Sequence, residues 1–131
     1  MDNKTVQYNE VVAKLMKDFP DFQFDQEDSE LPYLVAGSFA VYLHTCYINK
    51  LFDEMYRGFD FIEELHVNGD SQTKELATIG FLEDLQNYFS RGGANPEDIF
   101  EYLGNESKKW WVQLNEFWQG RIPYVGATID V

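Results

Sequence analysis

The residues best placed to do chemistry are Glu63-Glu64-Leu65-His66. They contain Glu-x-x-His, whose spacing on a helix puts a carboxylate and an imidazole on one face, as in di-iron bundles. Such a site needs a second copy. The other histidine, His44, has Val41 three residues before it, so the di-iron reading fails. The competing reading of His66 is a solvated helix end, where the imidazole faces the negative pole of the helix dipole. Asp60, Glu63 and Glu64 fall at i, i+3 and i+4 and line up three carboxylates that repel one another. No neighbouring residue divides the roles of acid and base between them. A solvated or partner-binding acidic face is the favoured reading, and a small metal-dependent enzyme using Glu63, Glu64 and His66 is the alternative.

Other chemistries are weaker. The acidic stretch from Asp25 to Glu30 lacks the glycine and closing glutamate of a calcium loop. His44 and Cys46, two apart on a helix, point in different directions and make no thiol and base pair. Gly92-Gly93 has no following Lys-Ser/Thr to form a phosphate loop. Two histidines and one cysteine supply no complete ligand set, so neither metal nor cofactor is expected.

Charge says more about partners. The chain has 23 Asp and Glu against 10 Lys and Arg, a net charge of −13 over 131 residues. With 17% aromatic residues it can nevertheless bury a core, unlike an acidic disordered tail. Between Leu51 and Glu106 only Arg57, Lys74 and Arg91 oppose the acids, which disfavours nucleic acid and anionic membranes and favours a basic partner. The amino terminus lacks a basic-then-apolar leader pattern and no apolar run reaches membrane-spanning length, so a cytoplasmic protein, monomeric or weakly dimeric, is expected.

The elements that must position these groups read as helices. Val12, Leu15, Met16 and Phe19 keep helical spacing over about 5–19, and Pro20 ends that segment. An acidic connection over 18–31 follows, pinned by Phe19, Phe22 and Phe24. From Pro32 to Ile48 the segment is apolar on nearly all sides, as expected of a central helix surrounded by neighbours. Asn49-Lys50 marks a turn, and Phe52, Met55, Phe59, Ile62 and Leu65 carry the next helix to Asn68-Gly69. Ser71 reads as the cap of a helix over 71–90, and Asn95-Pro96-Glu97-Asp98 as a strong start signal for a short helix ending at Leu103-Gly104. Asn105 reads as the cap of the last helix, with Trp111 and Trp118 expected in the core and Trp110 partly exposed. An extended tail covers 121–131. Six helical segments without alternating strand patterns predict an all-α fold in one domain, 1–131. The segments pair as 33–48 with 50–67 and 71–90 with 96–119. That pairing favours a short curved stack of antiparallel helix pairs over a compact bundle.

Two stretches carry a resemblance: Ile79-Gly80-Phe81-Leu82-Glu83-Asp84-Leu85-Gln86-Asn87, and Tyr102-Leu103-Gly104-Asn105-Glu106-Ser107-Lys108-Lys109-Trp110-Trp111. The region from Tyr33 to Trp118 resembles a family of small, acidic, uncharacterised bacterial proteins. In these a Gly-Phe-Leu-Glu-x-Leu helix precedes a Tyr-Leu-Gly-Pro-x-Ser-Lys-x-x-Trp turn and closing helix. Asn105 stands here where that pattern has proline. The family looks like immunity proteins of toxin systems, which implies an all-α protein that neutralises a basic cognate toxin, for example a nuclease; no catalytic residues come with it. The expected binding surface is acidic: Asp53, Asp60, Glu63 and Glu64 on one helix, Glu83 and Asp84 on the next, with Trp110 as the aromatic alternative. A scaffold or regulatory subunit is the third reading.

Overall fold

The computed structural model describes residues 5–93 and 95–125. Tyr8–Glu10 forms a 3-10 turn that leads into α1 (Val11–Asp18). This is shorter than the predicted helix over 5–19 because Val6 is bound elsewhere. Its N–H donates to Asn68 O at 2.8 Å and its C=O accepts from Asp70 N at 3.0 Å. Among the described residues no strand forms, and this pairing of Val6 with Gly69 is an isolated parallel bridge.

The acidic connection is held as its phenylalanines predict. Phe19 and Phe22 are buried. Both rings meet Phe39 edge-on, with centroids 5.0 and 5.1 Å away. Phe39 lies on α2 (Pro32–Ile48), which starts with proline in its first turn. At the end of α2, Lys50 takes a left-handed φ of 62° and lets Leu51 N reach back to Cys46 O at 2.8 Å. This reverses the chain into α3 (Phe52–Asn68). Gly58 of α3 faces Leu43 of α2 so closely that a Cβ there would collide with the leucine. The missing side chain is therefore a packing requirement that offsets its cost of about 1 kcal/mol in helix propensity.

The predicted helix over 71–90 is interrupted. It comprises α4 (Ser71–Glu75), wide π-helical turns over Leu76–Leu82, and α5 (Glu83–Arg91). Its cap is Asp70 rather than Ser71. One Asp70 oxygen accepts from Thr73 N at 2.9 Å and the other from Tyr8 N at 3.2 Å. Asn95 does cap the following segment, accepting from Glu97 N at 3.0 Å, but Pro96–Tyr102 is a 3-10 helix. The last helix is α6 (Asn105–Trp118), whose cap position is Gly104.

The six helices pack compactly as an all-α fold, the bundle rather than the stack, because α2 lies against both neighbours. It runs antiparallel to α3, with Phe39 beside Phe61 near one end and Tyr47 beside Phe52 near the other. It runs parallel to the 76–91 segment, where Ala36 meets Gly80, Gly37 meets Asp84 and His44 meets Phe89. One hydrophobic cluster draws on α1, α2, α3, α5, α6 and the π-helical turns, including Trp111 and Cys46. Trp118 departs from expectation: it is 56% exposed. It is the final residue of α6, and its ring packs on Phe117 instead of the core. Arg121–Val125 makes bends and a turn rather than the expected extended run, with Ile122 buried, and the rest of the predicted tail lies outside the described residues. No described helix is long and apolar enough to cross a membrane.

Candidate functional site

The four acids singled out on α3 do not form one face. Asp53 and Asp60 are exposed and, among the described residues, have no ion-pair or hydrogen-bond partner. Glu64 pairs with Lys14, Oε1 to Nζ 3.2 Å, and the same ammonium holds Asp18 at 3.0 Å. Glu63 is half-buried against α6. Its two carboxylate oxygens accept from the backbone N–H groups of Glu106 (3.0 Å) and Ser107 (2.9 Å). A helix start leaves N–H groups without partners, and Gly104 has no side chain to serve them, so the cap comes from another helix. Gly104 also makes the space, since a Cβ there would run into the Glu63 carboxylate. Burial alone would raise the pKa of Glu63, but the two N–H donors and the Ser107 hydroxyl overcome it and hold the group below its ordinary value.

His66 corrects the sequence reading most clearly. It is buried, not a solvated helix end. Nδ1 lies 2.9 Å from Ser107 Oγ and Nε2 lies 2.9 Å from Thr78 Oγ1, so the ring ties α3 to α6 on one side and to the π-helical turns on the other. Burial is the main cause that brings its pKa from 6.5 down to about 4, with the nearby Glu63 opposing. The imidazole is neutral at pH 7, and it gives and accepts one hydrogen bond through hydroxyls that can rotate to suit. The metal alternative loses its constellation here: Glu63 is spent on α6, Glu64 on Lys14, and both His66 nitrogens on hydroxyls. Among the described residues no cluster of three ligating side chains assembles. Ser107 and Thr78 were not singled out from the sequence. A buried His is visible only once its partners are known to come from two other segments.

Glu83, Asp84 and Trp110 are brought together. Ile79 and Glu83 stand on a ridge of the 76–91 segment that separates two clefts and lines both. On the α6 side, a cleft of about 720 Å³ is walled by Trp110, Leu114, Phe117 and Tyr124, with Lys74 and Glu75 at its edge. Trp110 is half-buried, as expected, with Lys109 Nζ 5.6 Å from its ring centre. On the α2 side, a groove of about 650 Å³ runs between Leu34, Ser38 and Val41 and the row Ile79, Glu83 and Asn87. Asp84 lies in this groove in the space left by Gly37, where a Cβ would come within 3.3 Å of its Oδ2. Among the described residues neither Glu83 nor Asp84 has an ion-pair or hydrogen-bond partner. Burial raises the pKa of Glu83. Burial, then repulsion by Glu83, takes Asp84 up to about 6, with Arg91 opposing. These carboxylates sit where a cation from outside would be stabilised.

Asp53 and Asp60 face away from this ridge: Asp60 lines a separate shallow cleft with Arg57 and Glu64, and Asp53 another with Tyr42 and Phe52. The predicted surface therefore divides into two acidic regions, α3 on one and the 76–91 ridge on the other. No curated protein and no solved structure matches the chain. The domain of unknown function DUF7674 matches it over residues 12–119, from α1 to the end of α6, and the chain belongs to that family.

Proposed function

We propose that this protein is a binding module for a basic protein partner, of the kind that neutralises a cognate toxin domain. One observation carries the reading: four of the ten Lys and Arg side chains are already paired with acids of the same chain, while several of its 23 acids are left over. Lys14, Arg57, Lys109 and Arg121 each pair with an acid of the same chain. Asp53, Asp60, Glu83 and Asp84 have no such partner among the described residues, on a chain of net charge −13. A field of that sign steers a basic surface into place and rejects wrong partners. Bacterial origin and toxin immunity rest on the sequence resemblance, and a cytoplasmic location belongs to the same proposal.

The test is the neighbouring gene. A toxin-like open reading frame beside this one should be harmful when expressed alone, harmless when co-expressed with this chain, and its product should co-elute with it. The association rate should fall as salt shortens the Debye length from about 10 Å at 0.1 M to about 3 Å at 1 M. Metabolic neighbours whose products neither harm the cell nor bind would reject immunity and favour a scaffold or regulatory subunit.

A further inference from the structure

Asp28, Glu83 and Asp84 bring three carboxylates to the groove between α2 and the 76–91 segment; among the described residues its one lining cation is Arg91, which lies over the Tyr88 ring at 5.5 Å. An apolar stripe adjoins those charges. Leu34 (53% exposed), Val41 (38%) and Ile48 (60%) stand at i, i+7 and i+14 along α2. Ser38 lies beside the stripe in the groove, and Gly37 and Gly80 lower its floor. A helix apolar all round is expected to be covered all round, yet Leu34, Val41 and Ile48 on this side of α2 stay exposed.

We propose that this groove receives an amphipathic helix of a basic partner protein, its apolar side on Leu34, Val41 and Ile79 and a lysine or arginine reaching Glu83 and Asp84. The inference rests on the basic-partner reading and names where and how that partner docks. The shape argues for a helix. The groove's two walls are helices running parallel, and the stripe repeats every seven residues, about 10.5 Å of rise, which is the spacing of one side of a docked helix. No strand among the described residues offers an edge for an extended peptide to join. Charge argues against a second copy as occupant, because each would bring a net charge of −13 to an acidic groove. It argues equally for a cationic helix, whose lysines would supply the partners that the two ridge carboxylates lack.

The test uses the full chain, isotope-labelled, with three synthetic 14-residue peptides followed by amide chemical shifts. One carries leucine at heptad a and d positions and lysine elsewhere, one scrambles that composition, and one replaces lysine with glutamate. The ordered lysine peptide should shift amides of Leu34–Ile48 and Ile79–Arg91 and bind at least tenfold more tightly than the scrambled one. Leu34→Asp and Val41→Asp should each weaken it tenfold or more while leaving distant amides in place. Glu83→Gln with Asp84→Asn should weaken it and flatten its salt dependence. Shifts centred on Asp53 and Asp60 or on Trp110, with the groove silent, overturn the groove and leave the basic-partner reading standing. No binding by either lysine peptide, or equal binding by the glutamate peptide, overturns both. Concentration-dependent shifts along Leu34–Ile48 without peptide would make the face a self-interface and overturn the proposal too.

Discussion

Glu63 and Asp84 are both half-buried carboxylates near the middle of the chain, and they are in opposite situations. Glu63 sits in the seam between α3 and α6, where two backbone N–H groups bind it and hold its pKa down. Asp84 sits in the groove between α2 and α5, where burial without a bound partner raises its pKa to about 6. The seam is closed, with Glu63, His66, Ser107 and Thr78 satisfying one another. The groove is open and its acids are not satisfied. The difference teaches that carboxylate density does not locate a binding surface in this protein. What matters is whether the fold has already supplied the donor.

If the seam is structural, breaking it should cost the most. His66→Ala removes a buried ring, takes away the ring partner of the Thr78 hydroxyl and leaves Ser107 bonded to Glu63 alone, so a loss of about 3 kcal/mol is expected in urea unfolding at pH 7. A loss below about 1 kcal/mol would mean the seam is not holding the helices, and the contrast would collapse. Gly104→Ala drives a methyl group into the Glu63 carboxylate and should cost about 2 kcal/mol, the upper range of cap losses. Glu63→Gln keeps one acceptor but gives up the charge at the α6 N-terminus, for about 1 kcal/mol. Combining the last two should cost clearly less than their sum, because both act on one cap. Additive losses would show that Gly104 acts through something other than Glu63.

Helix identity was legible in the sequence because apolar spacing records which side of each segment faces the core. Trp111, Leu114, Phe59 and Leu65 are buried where periodicity puts them. Periodicity cannot report partners that come from distant segments, which is why the same reasoning left Glu63 and His66 in solvent. Their partners, Ser107 and Thr78, are 44 and 12 residues away respectively. Nor could it show the π-helical turns at Leu76–Leu82, since the apolar residues there fit an α-helix as well. Of the candidate surface, Glu83, Asp84 and Trp110 do gather around one ridge, while Asp53 and Asp60 lie elsewhere. The exposed stripe on α2 was hidden by the very feature that marked α2 as central: a helix apolar on every side gives no hint of which side stays bare.

The smallest expected effect separates the two regions by pH. His66 has a folded pKa of about 4 against 6.5 unperturbed, so between those values the unfolded chain binds more protons and stability falls as pH falls. The full shift corresponds to about 3 kcal/mol, reached only below pH 4. Asp84 runs the other way. Its folded pKa of about 6 exceeds 3.8, so over that window the folded chain takes up a proton first and stability rises as pH falls. The two titrations therefore oppose each other between pH 6 and pH 4 and flatten the wild-type profile. Asp84→Asn removes one side of the opposition. At pH 7 the variant should be more stable than wild type by up to about 1 kcal/mol, the shift being discounted for the group's partial exposure to solvent. On lowering the pH toward 4.5, that advantage should shrink toward zero, because wild-type Asp84 has by then been neutralised by its own proton. Urea unfolding of both proteins at pH 7, 5.5 and 4.5 reads the difference directly, and contributions shared by the two chains, including those of Glu63 and His66, cancel in it. Parallel profiles would show that Asp84 gains no proton in this range and is not the unsatisfied acid that sets the groove apart from the seam.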